Sequence, residues 1–194
     1  LIDDKRASQK WVKGEDWVNY SGPHFSSDEY TSAIEVLLSE WLIFGKKARQ
    51  FEYEFPKHLG KKHGVLTNSG SSANLLMANV FKSKSASMKK FHMPPGSKFI
   101  TPVVCFPTTI NPLIQAGYEP VFVDVDLPSM NLNLDEVEAE LKKDPNIRAI
   151  TFAHVLGNPP DMDRLMALVK EYKLNFLEDS CDALGSFYDG KQLG

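Results

Sequence analysis

An α/β fold, with a mostly parallel sheet covered by helices on both faces, is what this sequence predicts, and three observations predict it. From Gly64 onward, short apolar runs alternate with stretches of helical character, the pattern of strand–helix–strand units. The first apolar run stops at the Gly/Ser turn Asn68-Ser69-Gly70-Ser71-Ser72-Ala73-Asn74. The last one stops at Glu178-Asp179. In sheets of this kind ligands gather at the carboxyl ends of the strands, so polar residues just behind an apolar run carry the most information.

Residues 1–60 read as an N-terminal helical segment. Ser26 and Glu29 have the spacing of a capping box, and Ala33, Ile34, Leu37, Leu38 and Trp41 follow at helical intervals. A second helix is expected over 48–59, with Phe51 and Phe55 on one face and Gly60 as its stop, although Pro56 threatens its interior. Residues 61–194 read as the sheet-bearing domain. Strands are expected at 65–67, 99–103, 120–125, 149–153 and 175–177, with helices beginning near Ser71, Thr108, Asp135 and Asp161. The basic, aperiodic stretch 82–90 is read as a solvated loop, contact with a phosphorylated ligand being the alternative. Tyr188-Asp189-Gly190-Lys191 has the look of a hairpin turn, and both chain ends are read as cuts.

Composition narrows the function. With 194 residues, 42% hydrophobic and 24% charged, the chain is neither disordered nor fibrous. A net charge of −3 gives no basic field for nucleic acid or an anionic membrane. No apolar run nears the ~20 residues that span a bilayer, and the first residues lack a signal peptide's apolar segment, so cytoplasm is the expected compartment. The two cysteines, Cys105 and Cys181, form no disulfide framework and are expected to be reduced.

Three places carry chemistry. A strand that ends at 68–74 and opens into the helix Leu75-Leu76-Met77-Ala78 leaves unpaired N–H groups at the helix start, suited to a dianionic phosphate. Gly70 allows close approach of the backbone, and Ser71 and Ser72 add hydroxyls; an ordinary capping turn is the alternative. Asp179, desolvated behind an apolar run, wants a cationic partner such as a protonated pyridine nitrogen, unless it merely caps the following segment. Phe106, behind the run 99–103, is placed either to stack on a flat ligand or to fill the core. His154 is read as a hydrogen-bonded structural group. A nicotinamide-binding Rossmann turn is disfavoured, because Gly70 lacks the Gly-x-Gly-x-x-Gly spacing.

Taken in order, Phe51-Glu52 with Phe55, residues 68–74, Thr101-Pro102 with Phe106, residues 120–126, residues 154–159 and residues 177–185 resemble the DegT/DnrJ/EryC1/StrS family of sugar-nucleotide aminotransferases and dehydratases. The resemblance implies the aspartate-aminotransferase-like fold type I and a pyridoxal 5'-phosphate or pyridoxamine 5'-phosphate cofactor. By it, Gly70, Ser71 and Ser72 would bind the cofactor phosphate, Phe106 would stack on the pyridine ring, Asp179 would pair with the ring nitrogen, and Asp182 would lie on the cofactor. Aminotransferases usually place His or Gln at the Asp182 position. Together with 68–74, 106–112 and 181–185, Asp182 resembles instead the branch that removes the C3 hydroxyl of a nucleotide-linked 4-keto-6-deoxy sugar for lipopolysaccharide dideoxysugars. The family's Lys or His base would fall beyond Gly194, and in the dehydratase branch it is His, which moves protons without bonding the cofactor. A homodimer and a reductase partner are further implied. Members acting on cytidine diphosphate sugars carry an iron–sulfur cluster with one cysteine in the segment of Cys181, yet cluster ligation normally takes four cysteines, so a buried inert thiol is the favoured reading of Cys181. A sugar-nucleotide aminotransferase and a non-catalytic fragment of such an enzyme are the alternatives.

Overall fold

Ser26 opens the first helix, α1 (Ser27–Leu38), by the reciprocal bonds its sequence predicts: Asp28 N donates to Ser26 Oγ at 3.1 Å, and Ser26 N donates to Glu29 Oε2. The computed structural model describes residues 10–18 and 22–194 and divides into two units, with the division between Phe51 and Glu52. The helix α2 (Lys46–His58) contains Pro56 and still reaches His58. Its end is closed by Gly60, at φ +66°, and by Lys61 N donating to Pro56 O at 2.8 Å.

The expected strand at 65–67 is corrected: these residues join no sheet. Leu66 N donates to Glu52 Oε1 at 2.7 Å, so a helix side chain satisfies the donor that a ladder would have used. Beyond them run α3 (Gly70–Val80), a short 3₁₀ turn at Lys89–Phe91, β1 (Lys98–Pro102), α4 (Pro107–Gln115) and β2 (Glu119–Val123). An antiparallel pair follows, β3 (Val125–Asp126) with β4 (Asn131–Leu132), then α5 (Leu134–Lys143), β5 (Ile147–Ala153), α6 (Met162–Glu171) and β6 (Asn175–Asp179). The hairpin β7 (Phe187–Tyr188) and β8 (Lys191–Gln192) closes the described chain. The run predicted at 120–125 therefore splits at Asp124, whose N–H leaves the ladder for Glu136 Oε2 at 2.8 Å. The stretch 82–90 is exposed apart from half-buried Ser83.

All pairings in the main sheet are parallel, in the order β2-β1-β5-β6. Alternation along each strand sends side chains to two cores. Phe99 and Ala149 pack with Ala78 and Phe81 of the α3 end and with Ile110 and Leu113 of α4. Ile100, Ile150 and Phe152 pack on the other face with Val137 and Leu141 of α5 and Leu165 and Leu168 of α6. Both faces are covered, which accounts for the near-continuous burial of β1 and β5. From β1 the chain crosses by α4 to β2, and from β5 it crosses by α6, on the opposite face, to β6. The winding direction reverses between β1 and β5. Such a reversal opens a crevice at the carboxyl ends of the strands, where the sequence places its chemistry.

Candidate functional site

Four local features converge at that edge: the start of α3, the start of α4, the segment after β1 and the end of β6. Asp179 is the last residue of β6, and its carboxylate is held by three donors. Oδ2 accepts from Asn74 Nδ2 at 2.8 Å and from Thr109 Oγ1 at 2.8 Å, while Oδ1 accepts from Cys181 N at 3.2 Å. The donors are all neutral, and among the described residues no cation pairs with Asp179. The capping alternative is thus realised on one oxygen, by the Cys181 amide, while helices α3 and α4 hold the other.

Ser69 caps α3: its Oγ accepts from Ser72 N at 3.2 Å and donates to Ser72 Oγ at 3.2 Å. Ser71 Oγ donates to Thr108 Oγ1 at 2.9 Å and so ties the start of α3 to that of α4. Gly70 lies between them with no left-handed backbone; a Cβ there would stand 3.4 Å from Cys181 Sγ. Absence of a side chain at this position keeps the mouth of the helix open.

Phe106 is 66% exposed at the cap position of α4, with Pro107 opening the helix behind it, so the core reading of Phe106 is corrected. Its ring stands free because the chain turns out of β1 before reaching it. The buried reading of Cys181 is corrected too: the residue is exposed, with its sulfur against Gly70. Partial burial, then the charges of Asp179 and Asp182, push the Cys181 thiol up from its ordinary range. Burial and then Asp179 push the half-buried Cys105 thiol up as well. Asp182 is exposed beside Cys181. Among the described residues no cluster of three or more metal-ligating side chains forms.

His154, after β5, is fully buried, with Nε2 at 3.0 Å from Glu178 Oε1 and its ring edge-on to Phe152 at 4.9 Å, the structural role its sequence suggests. Sequence reasoning missed Asn74 and Thr109 as the residues that hold Asp179. A signal existed for one of them: an Asn directly ahead of the apolar run Leu75-Leu76-Met77-Ala78 is a poor helix residue unless its side chain bonds elsewhere. An apolar groove of about 370 Å³ between Met77, Phe91, Phe176 and Leu177 offers no ionisable group and lies apart from this set.

Residues 23–194 match the DegT/DnrJ/EryC1/StrS aminotransferase family. The chain is 39% identical over 190 residues to a dTDP-4-dehydro-2,6-dideoxy-D-glucose 3-dehydratase of Saccharopolyspora spinosa, a match covering 98% of this chain and 40% of that protein. A structure of the Escherichia coli GDP-4-keto-6-deoxy-D-mannose-3-dehydratase with bound hydrated PLP superposes with a TM-score of 0.82 at 29% identity, over 92% of this chain and 45% of the other. The Helicobacter pylori aminotransferase PseC, involved in pseudaminic acid biosynthesis, superposes with a TM-score of 0.77 at 31% identity, over 91% and 44%. The chain spans about two fifths of the length of the curated relatives it matches.

Proposed function

The chain belongs to the DegT/DnrJ/EryC1/StrS aminotransferase family, and from that premise we propose that the whole protein is a pyridoxal- or pyridoxamine-phosphate enzyme that removes the C3 hydroxyl of a nucleotide-linked 4-keto-6-deoxy sugar in lipopolysaccharide dideoxysugar synthesis. One observation carries the reading: a carboxylate at the end of β6, oriented by the starts of two helices, faces the same edge as an exposed phenylalanine and an open serine-rich helix mouth.

The residues fit the cofactor. Gly70, with room where a Cβ would touch Cys181, together with Ser71 and Ser72, would hold the phosphate at the α3 start. Phe106 would lie on the ring, and Asp182, exposed beside Cys181, would flank it. Asp179 would hold a proton on the ring nitrogen. When bound, the cofactor supplies an electron sink, whose strength depends on that ring proton.

Dehydration is favoured over transamination by Asp182, which stands where aminotransferases usually carry His or Gln, and by the 39% identity to a 3-dehydratase. Sugar-nucleotide transamination is the second reading, supported by the likeness to PseC. Borohydride separates them. A lysine bonded to the cofactor would be reduced to a covalent adduct, whereas an enzyme with a histidine base yields none and its cofactor dialyses away. We expect no adduct in the full-length protein. An adduct, or an amino sugar formed from glutamate and the 4-keto substrate, moves the assignment to transamination, and failure to bind either cofactor form removes the reading altogether.

Loss of the C3 oxygen as a deoxy product needs two electrons, and the proposal includes a reductase partner as one source of them, an amino donor acting through pyridoxamine phosphate being the other. Should the substrate be a cytidine diphosphate sugar, Cys181 would serve as an iron–sulfur ligand, an inert though exposed thiol being the reading otherwise. Anaerobic purification of the full-length protein should then give iron and acid-labile sulfide, both lost in Cys181→Ser. An active enzyme with neither would remove Cys181 from that role.

A further inference from the structure

The two oxygens of Asp179 are not equivalent. A carboxylate offers about four acceptor directions, two on each oxygen. Oδ2 has both taken, by Asn74 Nδ2 and Thr109 Oγ1, each at 2.8 Å; Oδ1 has one taken, by Cys181 N at the longer distance of 3.2 Å. The count leaves a single open direction, and it lies on Oδ1. The two short donors come from different helices, α3 and α4, which Ser71 and Thr108 link at 2.9 Å. Thr109 is 3% exposed and Asn74 half-buried, so water does not readily replace either donor. Three donors from three segments fix the rotation of a planar group.

We infer that Asn74 and Thr109 are positioning residues: they saturate Oδ2 so that Oδ1 alone meets the pyridine ring nitrogen, and they keep the shared proton on the ring. The inference rests on the proposed reading of Asp179 as partner of that nitrogen. An oxygen that accepts from both donors cannot itself carry a proton without displacing one of them, and displacement would strand a buried hydroxyl or amide. Without the two donors, Oδ2 is free to take the proton and the carboxyl is free to turn. The amide of Asn74 must present its nitrogen, since its oxygen would face the carboxylate. Asp at this position would set two carboxylates against each other.

The test uses full-length protein loaded with pyridoxamine phosphate that is isotope-labelled at the ring nitrogen, with the nitrogen NMR shift followed against pH. In the native protein the ring should stay protonated from neutral to mildly alkaline pH. Combining Asn74→Leu with Thr109→Val should lower the ring's apparent titration by about one pH unit or more, a ~10-fold fall in the ratio of protonated to unprotonated ring at a given pH. Thr109→Ser, which keeps the hydroxyl, should behave as the native protein. A ring titration in the double variant equal to the native one overturns the inference. If the double variant does not fold, Thr109→Val alone, which conserves volume, is judged by the same criterion. Asp179→Asn separates the two levels: a native-like ring state in that variant defeats the assignment of Asp179, whereas a lost ring proton there with an unchanged double variant defeats only the role of Asn74 and Thr109.

Discussion

Two glycines show how differently the same residue type is used. Gly157 has φ +78°, and a Cβ on it would stand 2.5 Å from Ser186 Oγ, so Gly157→Ala meets both a strained backbone and a collision. We expect a loss of about 2 kcal/mol and a fall in Tm of roughly 5 °C, measured by thermal unfolding. Gly70 has an ordinary backbone, and the added carbon would only touch Cys181 Sγ at 3.4 Å. Gly70→Ala should leave Tm within about 1 °C, a surface-scale effect, and weaken cofactor phosphate binding. Equal losses of stability in the two variants would contradict this division. Much of the candidate site was legible residue by residue as a cluster at one sheet edge, because Ser71, Phe106 and Asp179 follow apolar runs and turn chemistry is local. Asn74 and Thr109 were not, since their bonds to Asp179 span 105 and 70 positions of sequence and depend on how two helices meet a strand end.

Elements were legible where a cap writes them into the chain. Ser26 with Glu29, Asn133 and Asp161 each stop the preceding extended backbone and satisfy helix-start donors, and α1, α5 and α6 begin directly after them. The false strand at 65–67 shows the limit: an apolar triplet has no period, and Leu66 found its partner in Glu52 instead of a neighbouring strand. Registration of β1 carries a charge that titrates. Lys98, at its start, donates to Asp144 Oδ2 at 2.7 Å, just ahead of β5. This bond, assisted by the Asn146 amide, holds the Asp144 carboxyl below its ordinary range and lifts the Lys98 ammonium above its own. A lowered folded value means that the contribution is complete above the ordinary carboxylate value and is lost as pH falls through the lowered one. Lys98→Met should therefore move the acid-unfolding midpoint to higher pH while leaving the neutral-pH fold intact. An unchanged acid limb would show that the pair contributes nothing to folding.

At the scale of the whole molecule, the first unit leaves many of its large apolar side chains exposed. None of the residues of α1 is buried, and Ile34, Leu37 and Leu38 are 52%, 60% and 78% exposed at spacings that share one helix face. Trp41, Leu42 and Ile43 extend this exposure at 56%, 67% and 72%. Soluble proteins rarely leave such a patch in water, because each buried CH₂ is worth about 0.8 kcal/mol when it finds a cover. The homodimer that the family resemblance implies would supply one, with the same helix of a second copy or another of its faces. Sedimentation of the full-length protein should give twice the chain mass. Leu37→Glu with Leu38→Glu places two carboxylates on the patch and leaves the residues Asp179 and Phe106 and the α3 sequence unaltered. That variant should sediment as a monomer with the fold of its sheet domain preserved. A native protein that is monomeric at working concentration, or a dimer indifferent to both charges, would show that this face is not where the subunits meet.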